Sequence, residues 1–270
     1  MGPKYKDQAA ASGHDTFTLA FITGFRGGKA VWDSGMAPDP AWCASRKVIL
    51  SFGGAGAHTN ELAGSITDVD DLAKAYLSIA KAFKCTTLDF DVEGTSIRDG
   101  KAIDRRNAAL ARLQKTDPTI RVNYTLPVMP SGLDGAGLAV MKSAKKHSVA
   151  VGVCNLMTMD WGIRERNMGA ACIKAATSTR KQLVDAGMSS VKVGVTPMIG
   201  TNDTPGEVLS LKDAVQVRDF CAATPWVGLV AYWSLNRDNG KVVSSKAAFE
   251  QSGVVQKPHE FLGIFKAGNK

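Results

Sequence analysis

Nowhere in these 270 residues does an apolar run reach the ~18 residues that a membrane-spanning helix needs. The opening Met1-Gly2-Pro3-Lys4-Tyr5-Lys6-Asp7 holds no apolar core of an export signal. The polypeptide is therefore expected neither to span a membrane nor to carry its own export signal. Cysteine is sparse: Cys43, Cys85, Cys154, Cys172 and Cys221 form no C-x-x-C pair and are odd in number, so they define neither a disulfide framework nor a zinc site. The four histidines (His14, His58, His147, His259) are equally scattered, without a Cys or His partner at ligand spacing, and read as surface or cap residues. No metal and no cofactor is expected. The net charge of +8 comes without a basic block or basic-aromatic interleaving, which argues against a nucleic-acid partner. Gly54-Ala55-Gly56 follows an apolar run, but Thr59 stands where a dinucleotide fingerprint needs its third glycine.

What is present is enough apolar residue, 44%, for one large core, and an α/β barrel of about 250 residues is an ordinary use of such a length. Strand-like runs fall at residues 17–23, 47–53, 86–93, 120–128, 149–159, 191–198 and 226–235. Helical stretches at 69–83, 105–114, 137–146, 170–186 and 211–222 lie between them. Strand alternating with helix predicts a parallel sheet, and the largely continuous apolar runs predict strands covered on both faces. Seven strands are legible rather than eight. One domain over residues 1–270 is expected, with residues 1–16 divergent or truncated and no first barrel strand evident there.

The most informative stretch is Asp89-Phe90-Asp91-Val92-Glu93-Gly94. In an extended strand its three carboxylates share one face over roughly 13 Å, while Leu88, Phe90 and Val92 face the other way. A solvated acidic face would be the bland reading, but the flanking strands are of the buried, parallel kind. Burying three like charges perturbs their protonation, which is what acid catalysis uses. The run also mimics the start of a calcium loop, yet Gly100 stands where the bidentate glutamate belongs. Other polar residues gather at strand ends: Ser51 to Gly54, Asp160-Trp161, Asn202-Asp203 and Trp233 to Asp238. In a β/α barrel such ends open on one face, where sites are built.

Thr86-Thr87-Leu88-Asp89-Phe90-Asp91-Val92-Glu93 resembles the fourth strand of the family 18 glycoside hydrolases, the chitinases, Asp-x-x-Asp-x-Asp-x-Glu, with Thr86 in place of the first acid. Four further segments follow in family order. Ser51-Phe52-Gly53-Gly54 resembles the third strand, Met157-Thr158-Met159-Asp160 the sixth, Gly194 to Gly200 the seventh, and Tyr232-Trp233-Ser234 the eighth. Leu88-Asp89-Phe90-Asp91, Thr125-Leu126-Pro127-Val128 and Met157 to Gly162 are most similar to the compact bacterial and archaeal catalytic modules. Residue 159 is Met where many relatives have Tyr, and residues 17–23 resemble the family's second strand.

The resemblance implies a TIM-type (β/α)8 barrel that cuts β-1,4 bonds between N-acetylglucosamine units with retention of configuration, the substrate's own acetamido oxygen serving as nucleophile. Glu93 would be the acid. Asp91 would accept the acetamide N–H, and Asp89 would support Asp91 through a shared proton or hydrogen bond. Asp160 would help hold the acetamido carbonyl, and Trp233 would floor the sugar subsite, with a core aromatic as its alternative. Tyr124, Met159, Trp161, Asn202 and Asp203 are weaker candidates for lining the sugar, and Gly53 would border the site. Trp32, Trp42 and Trp226 read equally as chitin platforms or as packing. The implied partner is chitin or its oligomers, the implied location extracellular, and the implied state a monomer. Two other readings of the same residues are an endo-β-N-acetylglucosaminidase of N-linked glycans and a non-catalytic glycan-binding protein, the latter disfavoured by the presence of Glu93.

Overall fold

The computed structural model describes residues 5–25, 29–57, 61–242 and 249–267; His58 and Thr59 lie outside them. The chain divides into two units, one of residues 1–126 with 135–152 and one of residues 127–134 with 153–270.

In the first unit, β1 (Thr16–Phe25), β2 (Lys29–Trp32), β3 (Lys47–Gly53), β4 (Thr87–Asp91) and β5 (Arg121–Pro127) form a sheet in the order β2-β1-β3-β4-β5. All pairs are parallel except β1 with β2. The helices are α1 (Tyr5–Ser12), α2 (Pro40–Ala44), α3 (Leu62–Ser65), α4 (Val69–Ala82), α5 (Gly100–Thr116) and α6 (Gly135–Lys146). Helix α1 is formed by the described residues ahead of β1. The stretch before it is anchored locally: the Tyr5 ring meets Trp42 edge-on at 5.0 Å, and Lys6 reaches Asp39 at 2.8 Å.

Register explains why β4 sits where it does. Leu50, Leu88 and Val122 are matched across β3, β4 and β5, as are Phe52, Phe90 and Tyr124, and all six side chains are buried. On the opposite face the rows are Ser51, Asp89, Asn123 and Gly53, Asp91, Thr125. Period-two alternation thus separates an aromatic sheet face from a polar one. Phe52 stacks on Phe90 with centroids 5.2 Å apart, and Tyr76 of α4 meets both rings edge-on. Helix α4 reaches that layer because Leu72, Tyr76 and Ala80 recur at four-residue spacing on one face. The Asp68 carboxylate caps it, accepting the Asp70 and Asp71 N–H groups, an arrangement worth about 1 kcal/mol.

In the second unit, β6 (Val151–Met157, apart from its first two residues), β7 (Lys192–Thr196) and β10 (Val227–Val230) run parallel in that order. A small antiparallel hairpin, β8 (Gly200–Thr201) with β9 (Val208–Leu209), follows β7. Helices α7 (Met168–Asp185), α8 (Leu211–Ala223) and α9 (Glu260–Lys266) complete it. A reciprocal capping box between Ser210 and Asp213 starts α8 directly after the hairpin, fixing where β9 ends.

All seven expected strands are present. The expected helices match α4 to α8 within a few residues, except that α5 begins earlier, at the Asp99 cap. Trp42 lies between Tyr5, Phe17 and the Arg46 guanidinium, Trp32 against Phe83 and Trp226 against Phe220.

Gly53 lies where β3 runs close against β4. Its φ is +107°, and a Cβ there would lie 2.0 Å from the Asp91 carbonyl oxygen. Gly53→Ala is expected to destabilise the protein by more than about 2 kcal/mol in urea unfolding, from positive-φ strain plus the clash. An unchanged midpoint would contradict this approach.

Candidate active site

In the first unit the alternation of β4 puts Asp89 and Asp91 on the polar sheet face, both buried at 4% and 6% exposure, while Glu93 is half-buried just past the strand end. Depth therefore falls along the row of acids. Asp89 has a full set of neutral donors: the Ser51 hydroxyl donates to one oxygen at 2.6 Å and the Thr125 hydroxyl to the other at 2.8 Å. Burial pushes its carboxyl up to about 6, with both hydroxyls opposing the rise. Asp91 is raised much further above the ordinary carboxylate range. Burial is the main cause, followed by the charges of Glu93 and Asp89 and a hydrogen bond shared with Glu93. Each of these causes disfavours the charged form of Asp91.

The backbone around these acids is fixed from both sides. The Gly54 N–H donates to the Asp91 carbonyl at 3.1 Å, and the Val92 N–H donates to the Thr125 carbonyl at 3.0 Å. On the aromatic side lies a buried ion pair, in which Arg106 of α5 directs Nε and Nη2 to one oxygen of Glu61. Tyr124 belongs to that side. Its ring lies 5.8 Å from Phe90, its hydroxyl donates to Asn107 at 2.6 Å, and it is fully buried. The expectation that Tyr124 lines the sugar is corrected: register pairs it with Phe90, so it points away from the acids, and Asn123 and Thr125 take the acid face instead.

In the second unit, Met159 is half-buried, Asp160 is exposed and adopts φ = +50°, and Trp161 is buried at 6% exposure. Asp160 accepts the Thr204 N–H at 2.9 Å. Its carboxyl is raised, first by partial burial and then by the charge of Asp203, which is itself exposed. Trp233 is half-buried, and its backbone bonds with Pro197 and Ile199 just past β7.

Sequence reasoning missed Glu207 and Arg237, both essentially fully buried. The signal for the first was available: Asn202-Asp203-Thr204-Pro205-Gly206 is a turn signature, and a charged residue directly after it, at the start of a short strand, invites attention. Among the described residues no cluster of His, Cys, Asp and Glu side chains is arranged to hold a metal ion, and all five cysteines are free, buried thiols.

The raised carboxyls carry a stability consequence. A folded-state pKa above the unfolded value means that the native state binds more protons, so stability falls as pH rises from about 4 through the folded pKa. For Asp89 the shift to about 6 corresponds to about 3 kcal/mol lost between those limits. Asp91→Asn removes the more strongly perturbed charge. It is expected to raise the urea midpoint relative to the parent at pH 8, with the advantage shrinking toward pH 4; a variant less stable at pH 8 than at pH 4 relative to the parent would contradict the assignment.

No family model matches the chain. Over 215 residues, 72% of its length, it is 36% identical to a probable bifunctional chitinase/lysozyme of Escherichia coli K12 and 35% identical to endochitinase 11 of Metarhizium anisopliae. The matched region spans 24% and 40% of those two relatives. Among solved structures the chain is similar to the catalytic domain of a hyperthermophilic chitinase from Pyrococcus furiosus, with a TM-score of 0.85, 28% identity, and coverage of 97% of this chain and 88% of that one. Catalytic-site mutants of active domain 2 of the thermostable chitinase from that organism, complexed with chito-oligosaccharides, give a TM-score of 0.85 at 27% identity, covering 97% of this chain and 88% of that one. The α/β fold is thus of the TIM type. A chain this similar to chitinase catalytic domains, in sequence and along nearly its whole fold, belongs to glycoside hydrolase family 18.

Proposed function

We propose that the chain acts as one catalytic module that hydrolyses β-1,4 bonds between N-acetylglucosamine units, with the substrate's acetamido group as internal nucleophile. The observation that carries this is the row of acids on the polar face of β4, with Asp89 and Asp91 buried and Glu93 half-buried just past the strand end. Chito-oligosaccharides bound to the similar Pyrococcus furiosus domain support the substrate class. Action outside the cell, as a monomer, completes the proposal and follows from the family resemblance.

In the proposed reaction, Glu93 gives its proton to the glycosidic oxygen as the C1–O bond breaks. The acetamido oxygen closes on C1, and the resulting oxazolinium carries its positive charge beside Asp91, which accepts the acetamide N–H. Asp91 is suited to this because its charge is costly while unpaired and becomes favourable once a cation forms against it. Asp89, fixed by Ser51 and Thr125, acts through Asp91 and touches no sugar. Water then adds to C1, giving its proton to Glu93, and the product keeps the β configuration. Asp160 and Trp233 are proposed as the acetamido and apolar contacts of the same sugar.

Glu93→Gln tests this reading. The amide cannot donate the required proton, so turnover of N-acetylglucosamine oligomers is expected to fall by a factor on the order of 1,000 or more while oligomer binding and the melting temperature stay near the parent's. Asp91→Asn is expected to cost on the order of 100-fold in kcat, and Asp89→Asn less. Proton NMR of the first product released by the parent should show the β-anomer. An active Glu93→Gln protein, or α-anomer released first, would sink the proposal.

A further inference from the structure

The loop after β6 is held in an unusual way. Four consecutive backbone N–H groups, those of Asp160, Trp161, Gly162 and Ile163, all donate to side chains of the β8–β9 hairpin. Asp160 donates to Asn202 Oδ1 at 3.4 Å and Gly162 to Thr204 Oγ1 at 3.3 Å. Trp161 and Ile163 donate to the two oxygens of one carboxylate, Glu207, at 3.1 and 3.3 Å. Glu207 is fully buried, and its own N–H donates to the Thr204 carbonyl at 3.1 Å. The hairpin is secured in turn by buried Arg237, whose guanidinium donates to the Ile199 and Thr201 carbonyls, four residues beyond Trp233. A carboxylate placed against two successive odd-numbered amides fixes a turn more firmly than water does, because charge-assisted bonds in a dry setting are strong. The turn needs it: Asp160 sits at φ = +50°, a conformation that costs an aspartate energy unless its surroundings impose it.

We propose that Glu207 is a positioning residue for the reaction, acting through Asp160. Its carboxylate holds the strained turn that aims the Asp160 side chain, and Arg237 ties the same hairpin to the segment that carries Trp233. One small hairpin, absent from the motif pattern, thereby sets the two sugar contacts of the second unit. The inference rests on the proposed role of Asp160 as a contact to the acetamido group.

The test is a double-mutant cycle on N-acetylglucosamine oligomers. Glu207→Gln keeps the shape, but only its oxygen can accept, so one of the Trp161 and Ile163 N–H groups is left facing a donor NH2. Its kcat/KM is expected to fall about 10- to 100-fold, mostly in kcat, since small misplacements at a reacting centre are costly. In an Asp160→Ala background the same substitution should cost less than about 2-fold, because the residue it positions is gone. An equal loss in both backgrounds would overturn the inference. Should Glu207→Gln fail to fold, Thr204→Val removes only the Gly162 acceptor and should show the same dependence on Asp160 with a smaller factor. Amide exchange followed by NMR gives a readout free of turnover: faster exchange at Trp161 and Ile163 in Glu207→Gln, with β6 and β7 unchanged, supports the clamp, and unchanged exchange refutes it. A parent protein that cleaves no oligomer would refute the proposed function, while the exchange result still decides the clamp.

Discussion

Three carboxylates on alternate residues, two of them buried in one strand and the third half-buried just past its end, disfavour one another's charged forms. Removing a carboxylate from water is expensive, and placing a second one beside it without a cation adds repulsion that a low-dielectric setting does not screen. The chain meets this constraint in graded fashion. Asp89 is given two hydroxyl donors and rises only to about 6, whereas Asp91 has like charges on both sides and is raised further. Chemistry that needs an acid at the strand tip and a latent anion behind it follows from that gradient.

Such an arrangement costs stability, and the rest of the first unit offsets it. The reverse face of the same strands is a closed aromatic layer of Phe52, Tyr76, Phe90 and Tyr124, with the Arg106–Glu61 pair adjoining it. Burial of large apolar side chains there supplies on the order of 2 kcal/mol each. The glycine at position 53, free to adopt φ = +107°, lets β3 approach the Asp91 carbonyl closely. Stability is thus concentrated on one face of the sheet and spent on the other, a common division in proteins that hold perturbed groups.

Much of this was legible in the sequence. The seven parallel strands announced themselves as apolar runs, because burial on both faces leaves little room for polar residues; Asp89, Asp91 and Glu93 stood out as exceptions inside such a run. The larger helices followed from 3.6-residue periodicity. What was not legible depended on register or on tertiary contact. Tyr124 was placed on the wrong face because nothing in one strand says which residue its neighbour will match, and the pairing of Phe90 with Tyr124 reverses the guess. Strands β2, β8 and β9 are too short for a periodic signal. The turn signature before Glu207 was legible but its role was not, since its partners are backbone amides more than 40 residues away and amides carry no mark in a sequence.

The most direct measurement of this account is a pH titration of the aspartate and glutamate side-chain carboxyls by carbon-13 NMR, assigned through the Asp91→Asn and Asp89→Asn variants. The account predicts that Asp89 titrates near 6, that Asp91 retains its proton well above the ordinary carboxylate range, and that the Glu93 resonance responds when Asp91 changes state. Full ionisation of all three by about pH 5, as for exposed carboxyls, would contradict it.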